Sequence, residues 1–209
     1  MDFDAVVLAG GKSSRLGGVP KAQLRYDGAT LLQRALTAAR GAGRVVVVGP
    51  DPGSLPDSTL IAREDPPFGG PAAAIAAGLA ALEEGSGEGA DGRNPFPQAP
   101  WVLVMACDMP FAAAAVPVLF EVLSGHPEAE GAMSLSSDGR KQPLLGIYRA
   151  SALRREVQAA AEQDGLANSA AFRLLARLDL LAVAVPAGST DDVDTWDDAA
   201  ALGVDGDLP

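Results

Sequence analysis

The chain has 209 residues, 16 Lys plus Arg and 27 Asp plus Glu, for a formal net charge of −11. This acidic balance excludes a broad polyanion-binding surface, so neither nucleic acid nor an anionic membrane is an expected partner. One cysteine, Cys107, excludes an internal disulfide and a Cys-based zinc cluster, and a single histidine, His126, disfavours a His-ligated metal site.

The opening MDFDAVVLAGG has neither the basic flank nor the apolar length of a signal peptide, and no segment reaches the length of a membrane span, so a cytoplasmic location is expected. Ala5–Ala9 reads as a first buried strand, apolar without alternation, as a sheet covered on both faces requires. A helix is predicted over Leu31–Ala42, a strand over Val45–Val48, a weaker strand over Thr59–Ala62 and a helix over Pro71–Glu84. Residues 85–100 are rich in Gly, Pro and acid and read as a flexible surface loop. Beyond it come a strand at Trp101–Ala106, a helix at Ala113–Leu123 and a weaker strand at Leu144–Tyr148. Helices at Ala152–Glu162 and Ala170–Ala176, a strand at Leu180–Val185 and a helix at Trp196–Leu202 complete the series. Such alternation predicts a three-layer α/β domain with a mostly parallel sheet, one domain over residues 1–203 and a frayed tail at 204–209.

Between Lys12 and Arg25 there are four cations and no carboxylate, a basic island on an acidic chain. It lies in VVLAGGKSSRLGGVPK, residues 6–21, directly after the first strand. In an open α/β sheet that is the edge where ligands bind. Gly10 and Gly11 let backbone N–H groups approach a ligand, Arg15 can fork onto phosphate oxygens, and Lys21 can supply a point charge. A Walker A loop is excluded, because it needs a glycine where Val6 stands, and so is the G-x-G-x-x-G dinucleotide fingerprint. The alternative for a lone glycine pair is a strand-to-loop turn with solvated charges.

WVLVMACDMP is an apolar strand ending on Asp108. Read alone, it is also a strand followed by an Asp-x-Pro turn that caps the next helix. Cys107 beside it is expected to be a small buried residue rather than a nucleophile, with no histidine near in sequence to activate it. A second acidic cluster, TDDVDTWDD, follows the last strand. Asp197 and Asp198 fit a helix N-terminus whose dipole they favour, and read alone Asp194 fits it too. His126, in SGHPEAEG, reads as a surface loop residue.

The loop LAGGKSSRLGGVPK resembles the signature of nucleotidyltransferases with a Rossmann-like domain, and among them that of the molybdenum cofactor guanylyltransferases. REDPPFGGPAAAIAAGL, VMACDMP, RKQPLLGIYR and DDVDTWDDAAAL are similar to that family in the same order, so the resemblance runs from residue 6 to residue 202. It implies a Rossmann-like nucleotidyltransferase fold with a mixed, mostly parallel sheet. The implied reaction transfers GMP from GTP to the terminal phosphate of molybdopterin, metal-loaded or not, with release of pyrophosphate by a monomer or weak homo-oligomer. Arg15, Lys21 and Asp108 take the catalytic positions, and Asp108 and Asp194 the Mg²⁺ positions. The nucleotide falls to Leu8, Ala9, Gly10, Gly11, Lys21, Asp65, Gly70, Pro71 and Asp108, with Asp65 facing the base or ribose. Arg140, Lys141 and Gln142 match the segment facing the pterin-bearing substrate; a solvated hairpin tip is the alternative. Ser169 and Arg173 match a pair that adds phosphate contacts.

Three positions depart from the family. Asp192-Val193-Asp194-Thr195 stands for Asn-x-Asn-Thr, Val48-Gly49 for an asparagine, and Gly70-Pro71-Ala72-Ala73-Ala74 for Gly-Pro-Leu-Ala-Gly. A cytidylyltransferase or a phospholactate-type guanylyltransferase on the same scaffold, and a catalytically silent nucleotide-binding regulator, are the competing readings.

Overall fold

A computed structural model describes residues 1–11, 13–50, 55–84, 98–163, 165–167 and 169–206. Lys12, most of the acidic loop expected at 85–100, and residues 207–209 lie outside the described residues.

The strands are β1 (Phe3–Leu8), β2 (Arg25–Tyr26), β3 (Ala29–Thr30), β4 (Val45–Val48), β5 (Thr59–Ala62), β6 (Trp101–Ala106), β7 (Gly131–Leu135), β8 (Lys141–Arg149) and β9 (Leu180–Ala184). The helices are α1 (Leu31–Ala38), α2 (Gly70–Glu84), α3 (Ala115–Ser124), α4 (Ala150–Gln163), α5 (Ala171–Leu175) and α6 (Trp196–Leu202). Seven strands form one sheet in the order β5-β4-β1-β6-β8-β7-β9, and β2 and β3 pair as a separate ribbon. Only β8 runs against the others in the large sheet. The mixed, mostly parallel α/β architecture is therefore the one expected.

Every residue of β1 is buried, and the strand alternates between two cores. Ala5 and Val7 pack with Leu103, Met105, Leu119 and Leu123 on one face. Val6 and Leu8 pack with Ile75, Leu79, Leu153 and Leu174 on the other. A sheet sandwiched in this way leaves no polar face, which is why its central strands read as unbroken apolar runs. Gly78 of α2 lies so close to the sheet that a Cβ there would stand 2.5 Å from Val6 Cγ1. This contact seats α2 directly on β1 and β4 and fixes where its N-terminus falls. Gly49, at φ +148°, is just as constrained: a Cβ would come within 2.8 Å of the Ala9 carbonyl carbon and the Gly10 nitrogen. The ends of β1 and β4 approach too closely for any side chain at position 49.

At the opposite edge of the sheet, Arg44 donates from Nη2 to Asp4 Oδ2 at 2.6 Å and from Nη1 to the Leu82 carbonyl at 2.6 Å. Both partners of this ion pair are buried. Asp4→Ala removes one partner of this buried ion pair and is expected to cost about 3–5 kcal/mol of stability. Urea unfolding measures it, and a midpoint equal to wild type would contradict the assignment.

Some elements differ from expectation. GAMSL folds as β7, although its glycine and serine carry no strand pattern; backbone pairing to β8 and β9 on both sides makes it a strand. The weaker strand expected at Leu144–Tyr148 extends over all of β8. Residues 204–206 do not fray as expected. Val204 is buried, and Asp205 exchanges backbone hydrogen bonds with Arg25 at 2.9 and 2.7 Å.

Candidate functional site

A third apolar cluster accounts for the placement of the site. Leu16, Leu24 and Leu31 pack against Val193, Ala199 and Val204, with Val19, Tyr26 and Leu202 at the margin. The cluster ties the loop after β1 to the C-terminal segment, residues far apart in sequence. Backbone hydrogen bonds add to it: Cys107 N donates to the Leu8 carbonyl at 3.0 Å, and Val193 N to the Asp108 carbonyl at 3.0 Å. Arg34 Nε holds the Pro110 carbonyl at 2.8 Å. Its guanidinium lies 4.7 Å from the centre of the Tyr26 ring, which meets Phe111 edge-on. The turn carrying Asp108 is thus held from several sides.

Lys21 stands where these segments meet. Its Nζ donates to Asp108 Oδ2 at 2.8 Å and to Asp194 Oδ1. Burial works against its charge, but Asp108, by proximity and hydrogen bond, and then Asp194 outweigh it and hold the ammonium pKa above the ordinary lysine value. Arg15 reaches Asp194 Oδ2 from Nη1 at 3.4 Å with most of its side chain in solvent. Carboxylate oxygens of Asp108, Asp192 and Asp194 lie within 4.8 Å of one another. Desolvation, then the neighbouring Asp108 and Asp194, push the Asp192 carboxyl up. Three carboxylates against Lys21 and the mostly exposed Arg15 leave a surplus of hard oxygen donors, a set suited to a divalent cation such as Mg²⁺ that also takes phosphate oxygens.

Asp194 is oriented by the end of α6. Thr195 and Asp198 form a reciprocal cap, with Thr195 N donating to Asp198 Oδ2 at 2.8 Å and Asp198 N to Thr195 Oγ1 at 3.1 Å. Asp194 N donates to the same Asp198 oxygen at 3.2 Å. Hydrogen bonds from Thr195 hold the Asp198 carboxyl below the ordinary range. Asp198 is the helix cap expected, and it also positions Asp194. Cys107 is buried, and burial followed by Asp108 pushes its thiol up, away from the reactive thiolate.

Two concavities adjoin this cluster and share Gly11. One, of about 230 Å³, is lined by Gly11, Ser13, Ser14, Arg15, Lys21 and Asp194. The other, of about 410 Å³ and more apolar, is lined by Leu8, Gly10, Gly11, Glu64, Phe68, Gly70, Pro71, Ala74 and Leu144. Polar and cationic groups line one, and apolar surface lines the other, in the division a nucleotide has between phosphates and base.

Most of the candidate residues come together. Arg15, Lys21, Asp108 and Asp194 meet in one cluster, and Leu8, Gly10, Gly11, Gly70 and Pro71 line the larger cavity. Ala9 does not line it; its N–H donates to the Val48 carbonyl at 2.8 Å. Asp65 is exposed and outside the cavity wall, where the neighbouring Glu64 stands instead. Ser169 and Arg173 line a separate cavity of about 260 Å³ with Glu156, Gln163 and Arg177, and Lys21 is not part of its wall. Arg140 and Lys141 are exposed at the β7–β8 hairpin, whose tip is held by Arg140 N donating to Ser136 Oγ at 3.1 Å. His126 is exposed, as expected. Glu64, Phe68, Ser13 and Ser14 were not singled out from the sequence, although both serines lie inside the quoted loop.

An α/β sheet with a glycine loop at its strand ends, a lysine between two aspartates and an apolar cavity nearby is an arrangement suited to a nucleotide. The chain belongs to the MobA-like NTP transferase family, whose family model matches residues 5–180. A relative from Chloroflexus aggregans, named a probable molybdenum cofactor guanylyltransferase, is 35% identical over 78% of this chain and 74% of its own. Two solved structures share the fold. Molybdopterin-guanine dinucleotide biosynthesis protein A from Archaeoglobus fulgidus superposes with a TM-score of 0.64 at 20% identity, covering 95% of this chain and 96% of that one. The 2-C-methyl-D-erythritol 4-phosphate cytidylyltransferase from Thermus thermophilus does so with 0.64 at 21% identity, covering 97% of each. Among the described residues, no helix is long and apolar enough to cross a membrane.

Proposed function

We propose that this protein transfers GMP from GTP to the terminal phosphate of a molybdopterin-type acceptor and releases pyrophosphate. One observation carries the reading: Lys21 lies between Asp108 and Asp194, with Arg15 beside them, and the concavity that Lys21 and Arg15 line shares Gly11 with a larger, more apolar one. The relatives named molybdenum cofactor guanylyltransferase, at 27–35% identity, support the same choice of nucleotide and acceptor.

The base lies in the larger cavity and the triphosphate follows the loop across Gly11 to Ser13, Ser14, Arg15 and Lys21. Asp108 and Asp194, with Asp192 alongside, would hold Mg²⁺, which supplies positive charge that neutralises the triphosphate. Lys21 and Arg15 bind and align the phosphates and stabilise the charge that builds on them as the bond to pyrophosphate breaks. The acceptor oxygen forms the new bond to the α-phosphorus on the side opposite the leaving pyrophosphate. A phosphate monoester is largely ionised near neutral pH, so the chain needs no strong general base. Arg140 and Lys141, exposed on the same sheet edge, offer charge to the acceptor.

Incubation with Mg²⁺, molybdopterin and GTP, CTP, ATP or UTP in separate reactions, read by mass spectrometry, tests this function. A guanine dinucleotide formed from GTP alone is expected. A cytosine dinucleotide would replace the guanylyl assignment with a cytidylyl one, and no dinucleotide from any of the four would overturn the proposal.

A further inference from the structure

Glu64 sits in the wall of the apolar cavity, only 8% exposed. Its carboxylate is half satisfied: Oε1 accepts the Phe68 N–H at 3.1 Å, while Oε2 is shielded from solvent and no donor among the described residues reaches it. Burying a carboxylate oxygen without a donor is costly, and the cost is recovered when a donor arrives. Glu64 also closes on the glycine loop, since a Cβ on Gly10 would stand 3.5 Å from Oε1. Phe68, held through its N–H by the same carboxylate, adopts φ +62° and adds an exposed ring to the cavity. One side chain therefore shapes the turn that walls the cavity and keeps, behind that wall, a carboxylate oxygen with no donor among the described residues.

Resting on the nucleotide reading above, we propose that Glu64 selects the base: its carboxylate turns Oε2 to the cavity as the base enters and accepts from the N1–H and 2-amino group of guanine. Adenine and cytosine present an unprotonated ring nitrogen at that edge and set a lone pair against the carboxylate. Asp65, exposed and outside the cavity, has no part in the selection. A carboxylate is an acceptor on both oxygens, so the Phe68 N–H and the base donors are served together.

Glu64→Gln tests the assignment with little change of shape. The Gln carbonyl keeps the Phe68 N–H, which turns the amide nitrogen to the place of Oε2, where it opposes the guanine donors and suits the 2-carbonyl of xanthine. With Mg²⁺ present, calorimetry is expected to show GTP binding weakened about 10- to 100-fold, the range of a charge-assisted hydrogen bond, and the preference shifted toward XTP. Asp65→Asn is expected to retain wild-type selectivity. Wild-type protein supplies a test that needs no variant: ITP, without the 2-amino group, and 1-methyl-GTP, without N1–H, are expected to bind more weakly than GTP. If wild type prefers GTP but Glu64→Gln keeps that preference, or ITP and 1-methyl-GTP bind as GTP does, the role of Glu64 is overturned and the transferase reading stands. If wild type binds no nucleoside triphosphate, both fall.

Discussion

Lys21→Ala is expected to lower turnover by more than tenfold, and by as much as about 10³-fold if its charge acts on the transition state as a preorganised oxyanion donor does. The ammonium is built in at the junction of two strand ends, and Asp108 and Asp194 hold it charged. Among the described residues the other cation at the cluster is Arg15, which approaches only Asp194 and is mostly in solvent. The fold is expected to survive, since the apolar cluster of Leu16, Leu24 and Val193 anchors the loop independently of the charge. A second readout separates the role of Lys21 in the free protein from its role in turnover. In nucleotide-free protein, loss of the ammonium leaves Asp108, Asp192 and Asp194 with the mostly exposed Arg15 against them, so a divalent cation is expected to bind more tightly than in wild type. Calorimetric titration with Mg²⁺ measures the binding, and pyrophosphate release measures the rate. Wild-type turnover in the variant would show that Lys21 does not act on the reacting phosphates.

Asp108→Asn is expected to abolish the dependence of GTP binding on Mg²⁺, weakening metal affinity by at least the 10- to 100-fold typical of disturbed metal sites. The substitution keeps the shape of the side chain and removes the charge. It also removes one of the two counter-charges on Lys21, so the lysine pairs with Asp194 alone. Retained circular dichroism together with a lost Mg²⁺ effect on GTP titration is the expected result. An Mg²⁺ titration identical to wild type would exclude Asp108 as a ligand.

The parts of this site that could be read in the sequence share a local cause. Gly10 and Gly11 end an apolar run, and so does Asp108, so the ends of β1 and β6 announce which residues stand at the ligand edge of the sheet. Lys21 and Asp194 follow from family resemblance, while their contact depends on the cluster around Leu16 and Val193, which no local pattern announces. The carboxylate in the cavity illustrates the opposite case. Glu64 and Asp65 are adjacent acids, and only the turn through Phe68 decides that the first faces the cavity and the second faces water. Val204 and Asp205 lie in a Gly- and Asp-rich stretch that looks frayed, yet a pocket among Leu16, Leu24 and Ala199 and the backbone of Arg25 hold them. Strand β7 was hidden for a related reason: its glycine is forced by crowding, since a Cβ at Gly131 would stand 2.7 Å from the Ile147 carbonyl oxygen. Side-chain pattern says little about a strand whose neighbours dictate its smallest residue.

Crystals grown with Mn²⁺ in place of Mg²⁺ and a non-hydrolysable GTP analogue, measured for anomalous scattering, would test the central claim most directly. The account predicts a metal peak at coordination distance from Asp108 and a phosphate oxygen, with Lys21 Nζ on the phosphates and guanine between Gly10 and Pro71. A peak away from Asp108, or a nucleotide that avoids the loop from Gly10 to Lys21, would contradict it.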